Sequence, residues 1–290
     1  MASRAANHKG ALVMEFNKRF WLIELLAYWE GRVNTTSLIH HFGLSRQQSS
    51  ADLNAYSAQA PTNLTYDPSI KAYLPKPEFQ RHFISDDVAE YLNWMQHPSA
   101  APAPISAPSA KLSNLALRLP PRKVSPELMR ALVAATRQRL RVEVDYVSLS
   151  NPNREGRIIA PHTFVNTGLR WHLRAWCEKS QGYRDFVLSR FRGVPTLLDR
   201  TEHPIEHDTA WNTQITLILA PDPRLTPEQR EVLENDYQMV GGQLHISTKA
   251  CLVNYLLKEM QVNTKMLDGT PEAQQLVLVN RDDLKPWLFD

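Results

Sequence analysis

Apolar positions along the chain change period twice, and the changes mark out three regions. Phe20, Trp21, Ile23, Leu25, Leu26 and Trp29 fall at helical spacing and predict a helix over Asn17–Trp29, ended by Gly31. Thr35 or Thr36 is placed to cap a second, short helix through Phe42, with Gly43 supplying the turn. Ser45, with Gln48 three residues on, has capping-box spacing and opens a third helix over residues 46–56, with Ala51 and Leu53 among its buried positions. Leu64–Tyr66 and Ala72–Leu74 then read as two short extended pieces around an Asp67–Lys71 turn, closed by Pro75 and Pro77. A further helix over residues 85–95 would carry Ser85 as its cap and Val88, Tyr91, Leu92 and Met95 on one face.

Residues 98–110 are almost wholly Pro, Ala and Ser, a composition that builds no core and marks a linker. A helix follows over Pro126–Arg139. Strand-like segments at 142–147, 158–165, 170–177 and 185–190 predict a small, curved, mostly β domain. Beyond Pro204 the order is strand (214–220), helix (226–234), strand (243–247), helix (249–260) and strand (274–279). The Thr226-Pro227 pair has the cap-then-proline form of a helix start. That alternation predicts a small α/β sandwich of the ferredoxin-like sort.

Length and composition fit this picture without sharpening it. The 290 residues suffice for two or three domains, and 43% apolar with 22% charged residues is ordinary for a globular protein. The net charge of +3 says little, but its distribution says more. Residues 118–200 hold sixteen Lys/Arg against seven Asp/Glu, and residues 201–290 hold seven against fourteen. A basic middle fits a polyanionic ligand or nucleic acid, and equally an arginine-rich surface beside an acidic neighbour. Cys177 and Cys251 form neither a disulfide framework nor a zinc site. No apolar run reaches membrane-spanning length and no signal peptide is visible, so a cytoplasmic location is expected.

Two sets of side chains carry candidate chemistry. On the third helix, Ser45, Arg46, Gln47, Gln48, Ser49, Ser50 and Asn54 are the candidates to face DNA, with Lys71 and Tyr73 from the extended pair beside it. A helix fits the major groove, Gln and Asn can pair with adenine edges, Arg with guanine or phosphate, and a capped N-terminus can meet a phosphate. In the basic region, alternation places Arg184 with Phe186, Leu188 with Arg190, Trp171 with Leu173 and Ala175, and His172 with Arg174 and Trp176. Arg157, Arg174, Arg184 and Arg190 are candidate phosphate clamps, with Tyr146, His172 and Ser189 as further ligand contacts. The competing reading has the tryptophans in the core and some arginines paired with Asp145, Glu155 or Asp185. There is no phosphate-loop glycine cluster, no metal-ligand spacing and no nucleophile elbow around Ser189. Neither an enzyme nor a bound cofactor or metal is therefore expected, and His203 and His207 read as a solvated linker.

These residues resemble the WYL-domain family of bacterial transcription regulators. The family's Trp-Tyr-Leu stands here as Trp171-His172-Leu173, its arginine–proline signature as Arg157 and Pro161, and its arginine-rich strand as Arg184, Phe186 and Arg190. His172 departs from the family's tyrosine, keeping a ring and a polar end but adding a titratable group. The resemblance implies a multidomain α+β chain. Its parts are a winged helix-turn-helix with a following helix (1–97), a linker and lead-in (98–124), a WYL ligand-sensing domain of Sm-like β-barrel form (125–205), and a ferredoxin-like C-terminal extension domain (206–290). It also implies a homodimer on a pseudo-palindromic double-stranded operator, with a nucleotide-like or nucleic-acid effector at the WYL domain. The arrangement looks most like repressors beside anti-phage defence operons of the BREX or CBASS type, which would make the protein autoregulatory. An activator in a DNA-damage or stress response, or a general nucleic-acid binder, are the alternative readings.

Overall fold

The computed structural model describes residues 17–97, 120–264 and 270–288. The expected linker at 98–110 lies outside them. The fold is mixed α+β and divides into two units. One reaches to Phe164 and takes in Leu173–Arg200; the other comprises Val165–His172 and the chain from Thr201 onward.

The first unit opens with three helices: α1 (residues 17–30), α2 (Thr35–Phe42) and α3 (Arg46–Gln59). The apolar stripe of α1 is the centre of the core, with Leu22, Ile23, Leu25 and Trp29 wholly buried. The cap of α2 is Asn34 rather than Thr35 or Thr36. Its extended backbone lets its carboxamide oxygen accept from the Ser37 N–H at 3.0 Å. Gly43, at φ 67°, closes α2 in the left-handed region that glycine enters without strain. Ser45 Oγ accepts from the Gln48 N–H at 3.1 Å. The Gln48 side chain turns instead to the buried Asp52 carboxylate at 2.9 Å, so only half the expected capping box forms.

An antiparallel hairpin follows, β1 (Leu64–Asp67) and β2 (Ala72–Pro75), pairing Tyr66 with Tyr73. Val33 and Tyr73 exchange backbone hydrogen bonds of 2.9 and 2.8 Å, which tie the hairpin to the start of α2. Helix α4 (Val88–Gln96) is capped by Asp87. Ser85 donates instead from its N–H and hydroxyl to Glu90, and Met95 is exposed rather than on the buried face. Glu24, wholly buried on α1, accepts from the N–H groups of His82 (2.8 Å), Phe83 (2.5 Å) and Ile84 (3.2 Å) and from the Tyr56 hydroxyl (3.2 Å). Those bonds favour its charged form, but burial outweighs them and holds its carboxyl above the ordinary range.

The same unit contains α5 (Pro126–Gln138) and a five-stranded sheet of β3 (Leu140–Tyr146), β4 (Glu155–Asn166), β5 (Trp171–Cys177), β6 (Gly182–Val187) and β7 (Phe191–Arg200). Its order is β6-β5-β4-β3-β7. The sheet is open, with β6 and β7 at its edges, where a closed barrel was expected. Two local differences explain the change. The strand expected over 185–190 stops at Val187, and Leu188–Arg190 form a 3₁₀ turn that redirects the chain. Strand β7 then pairs with β3 through two irregularities, and Gly193 and Pro195 within it mask any alternation in the sequence.

Helix α5 is joined directly to α1. The Arg137 guanidinium forks onto the Glu30 carboxylate at 2.5 and 2.6 Å, the Tyr91 hydroxyl donates to Glu30 at 2.9 Å, and Arg130 Nε donates to the Tyr28 carbonyl at 2.7 Å.

In the second unit the short α6 (Thr209–Asn212) leads into β8 (Gln214–Pro221), α7 (Pro227–Asp236), β9 (Leu244–Lys249), α8 (Val253–Glu259), β10 (Leu276–Leu278) and α9 (Arg281–Leu284). The sheet is three-stranded and antiparallel, ordered β10-β8-β9. Leu217 and Leu219 from β8 pack with Val253, Leu257 and Leu276 to form its core. At α7 the Thr226–Gln229 capping box is complete. Lys249, expected to start a helix, ends β9, and a 3₁₀ turn intervenes before α8. No helix among the described residues is long and apolar enough to cross a membrane.

Candidate nucleic-acid interface and sensor face

The exposed face of α3 is a row rather than the whole first turn. Arg46, Gln47, Gln48, Ala51 and Asn54 are exposed and Ser50 is half-buried. Ser49 departs from expectation. It is wholly buried, and its hydroxyl donates to the Ser45 carbonyl at 3.0 Å. It lies with Asp52 and Leu53 on the side packed into the unit, where Asp52 meets Arg19 at 3.3 Å. Ala51, expected inside, belongs to the outer row. Gln47, Ala51 and Asn54 stand at i, i+4 and i+7, the spacing of one helix face. That spacing was available in the sequence, but the small apolar side chain of Ala51 reads as core.

The hairpin stands beside this row. Lys71 is exposed at its tip with φ 52°, and Tyr66 is exposed with its ring 5.1 Å from that of Tyr73. The Tyr73 hydroxyl donates to Asn54 Oδ1 at 3.2 Å, so helix and hairpin meet at a polar contact.

The seven candidate ligand contacts of the sheet do not form one surface. Tyr146 is buried, and the Val187 N–H donates to its hydroxyl at 3.0 Å. Its ring packs edge-on against Phe186 at 5.0 Å and Phe191 at 5.1 Å, which makes it a core aromatic. Arg157 lies on the same side, its guanidinium 6.0 Å from the Tyr146 ring centroid, 3.3 Å from Glu155 and 3.9 Å from Cys177 Sγ. Burial alone would raise the Cys177 thiol, but polar neighbours around its sulfur, Arg157 among them, bring it below its ordinary value.

His172 and Arg174 point to the opposite side of β5 from Leu173 and Ala175. Both are buried. The His172 ring lies 5.0 Å from that of Tyr255 within the second unit, and Arg174 pairs with Asp185 at 3.0 Å. Packing and pairing therefore account for these two, against the expected ligand contacts.

Arg184 is exposed and Arg190 half-buried, and neither has a carboxylate partner among the described residues. Ser189 is half-buried, and its carbonyl accepts from Arg192 at 2.9 Å. The arrangement thus offers two uncommitted guanidinium groups and a third, Arg157, shared with one carboxylate. Among the described residues no cluster of His, Cys, Asp or Glu has metal-holding geometry.

Comparison with known proteins identifies three domains along the chain. Residues 15–97 match the BrxR transcriptional regulator winged helix-turn-helix domain, residues 127–195 the WYL domain, and residues 214–284 the BrxR transcriptional regulator C-terminal dimerization domain. The DNA-binding transcriptional repressor CapW of Pseudomonas aeruginosa is 34% identical over 275 residues, covering 92% of this chain and 90% of that one. CapW of Escherichia coli strain KTE188 is 35% identical over 278 residues, with 92% and 90% covered. CapW of Stenotrophomonas maltophilia is 31% identical over 284 residues, with 94% and 92% covered. Proteasome accessory factor B/C of Arthrobacter aurescens aligns at 14% identity and a TM-score of 0.25, covering 93% of this chain but only 48% of that one, a likeness too weak to inform the fold. With a winged helix, a WYL domain and a dimerization domain in the same order as the residues that first marked them, and CapW relatives matched along nearly its full length, the chain belongs to the CapW family of WYL-domain transcriptional repressors.

Proposed function

We propose that the protein is a ligand-responsive, sequence-specific DNA-binding transcriptional repressor, acting as a homodimer on a pseudo-palindromic operator upstream of its own gene and of an adjacent phage-defence operon. The observation that carries the reading is the exposed Gln47–Ala51–Asn54 row on a Ser45-capped helix, with the Lys71 hairpin beside it. That is a helix of the right size and chemistry for a major groove, with a cation placed for the neighbouring backbone. Arg46 and the first-turn N–H groups serve phosphates, and Gln47 and Asn54 serve base edges. Dimerisation falls to residues 214–284, which match a dimerization domain.

In the sensor, Arg184 and Arg190, with Arg157 at the edge of the aromatic core, receive a phosphate-bearing, nucleotide-like or nucleic-acid effector. The effector's influence travels through α5 to α1, because Arg137 and Arg130 fasten the two helices at Glu30 and Tyr28.

The test is binding of the purified protein to its own upstream intergenic DNA against scrambled DNA at physiological salt, with Arg184→Ala/Arg190→Ala alongside. Tight, selective binding that survives both changes supports α3 as the reader and leaves the arginines for sensing. Weak, unselective binding that collapses with them sinks the reading in favour of a general nucleic-acid binder, whose salt dependence would fall with each arginine removed.

A further inference from the structure

We infer that Tyr73 is a positioning residue that turns the Asn54 amide so that its nitrogen leads toward DNA, making Asn54 a reader of acceptor edges, guanine above all. The inference rests on the proposed placement of α3 in the major groove. Its observation is the Tyr73 hydroxyl donating to Asn54 Oδ1 at 3.2 Å, between side chains nineteen positions apart.

An asparagine amide carries an acceptor and a donor at nearly equal reach, and a free one can rotate to present either. Pairing with adenine uses both at once: the oxygen accepts from N6 and the nitrogen donates to N7. Here one of the oxygen's two lone pairs is held by the hairpin, which directs that end of the amide toward β2, so the two N–H donors are the end that leads outward in this proposal. Guanine offers two adjacent acceptors in the major groove, O6 and N7, and needs no acceptor from the protein.

Tyr73 is well built to hold this geometry. Its backbone N–H and carbonyl are both bonded to Val33, at 2.8 and 2.9 Å, and its ring packs 5.1 Å from that of Tyr66. The phenol therefore sits on a strand fixed at both edges, with few rotamers left to lose. Ala51, one turn earlier in the exposed row, is small enough to let the helix approach closely. This reverses the adenine preference that the residue type by itself indicates.

The test is selection from a randomised duplex library by the full-length protein and its variants, read as base preference at each position of the half-site. The wild type is expected to select guanine at one position, and Asn54→Ala to erase that choice. Tyr73→Phe keeps the ring but removes the donor, and should weaken the guanine preference about tenfold, the scale of one base-pair contact. Thermal unfolding and the salt dependence of binding should stay at wild-type values. Tyr73→Phe added to Asn54→Ala should lose nothing further. Asn54→Asp retains an acceptor for Tyr73 but has no N–H, and should lose the guanine preference as well.

Adenine at the Asn54-dependent position overturns the inference, as does undiminished guanine preference in Tyr73→Phe. A neutral Asn54→Ala beside a Gln47→Ala that erases another preference overturns the inference but leaves α3 as the reader. If neither changes any preference while operator binding persists, the placement of α3 in the groove fails, and the inference falls with it.

Discussion

Helix α3 and the arginine-bearing sheet both display polar side chains on regular elements, yet they commit them in opposite ways. On α3 the Gln47–Ala51–Asn54 row meets no ionic partner among the described residues, and Tyr73 touches Asn54 without covering it. On the sheet several arginines are already engaged: Arg174 by Asp185, Arg154 by Asp145, Arg157 by Glu155, and Arg141 by Glu178 and Asp199. Part of the positive charge of the middle region is thus neutralised locally, and of the four candidate clamps Arg184 and Arg190 are left without a carboxylate partner among the described residues. The count of basic residues overstated the basic surface, because folding brings Asp185, Asp145, Glu178 and Asp199 from other segments against Arg174, Arg154 and Arg141, whereas a helix face is set by its own spacing.

Four changes would break or sharpen this contrast. The largest effect is expected from Arg174→Ala, which leaves the Asp185 carboxylate, 11% exposed, without its guanidinium. Loss of one partner from a buried pair costs about 3–5 kcal/mol, so denaturant unfolding should shift strongly, and a wild-type midpoint would show that the pair is not a structural element. Gln47→Ala should do the reverse. Unfolding stays put while operator discrimination drops by about 1–3 kcal/mol, and equal loss on unrelated DNA would place Gln47 on phosphate instead of a base.

Glu30→Gln removes one charge from the joint between α1 and α5. Arg137 is 47% exposed, so screening limits the expected cost to about 1 kcal/mol. The telling readout is hydrogen exchange, which should rise at the ends of both helices and not within α3; unchanged exchange would remove the joint as a route between sensor and reader. The smallest stability effect belongs to Arg184→Ala/Arg190→Ala, within about 0.5 kcal/mol, since no ion pair is lost. A large destabilisation there would count against their being uncommitted.

The buried Glu24 adds a pH signature to the reader. Its carboxyl is held above the ordinary range by burial, so the native state binds more protons than the unfolded chain in the window just above that range. Its contribution is fully present at low pH and is lost as pH rises through the raised value. Glu24→Gln should flatten that part of the stability profile, and an unchanged slope would assign the pH dependence elsewhere.

Much of the architecture was legible in the chain. The α1 stripe, the Ser45 and Thr226 caps, and the change of period at the hairpin each depend on neighbours within one element. Strand β7 was not legible: Gly193 and Pro195 interrupt it, and its pairing to β3 is set by the Leu188–Arg190 turn. In the candidate sites, the exposure of Gln47 and Asn54 followed from helical spacing, while Ser49 was expected outward and is buried because a short polar side chain can bond its own helix. Tyr146 and His172 carried polar ends that looked available to a ligand. Only the packed sheet and the Tyr255 contact place them inside.

By itself the sequence determined the order of helices and strands in the reader, the capped helix α3 and the family, because periodicity, caps and short motifs are local properties. Tertiary structure decided which arginines meet a carboxylate, that α5 is fastened to α1 through Glu30, and that Tyr73 meets Asn54. Each of those depends on groups far apart in the chain meeting within hydrogen-bond distance, and no local pattern encodes where a distant donor or carboxylate will arrive.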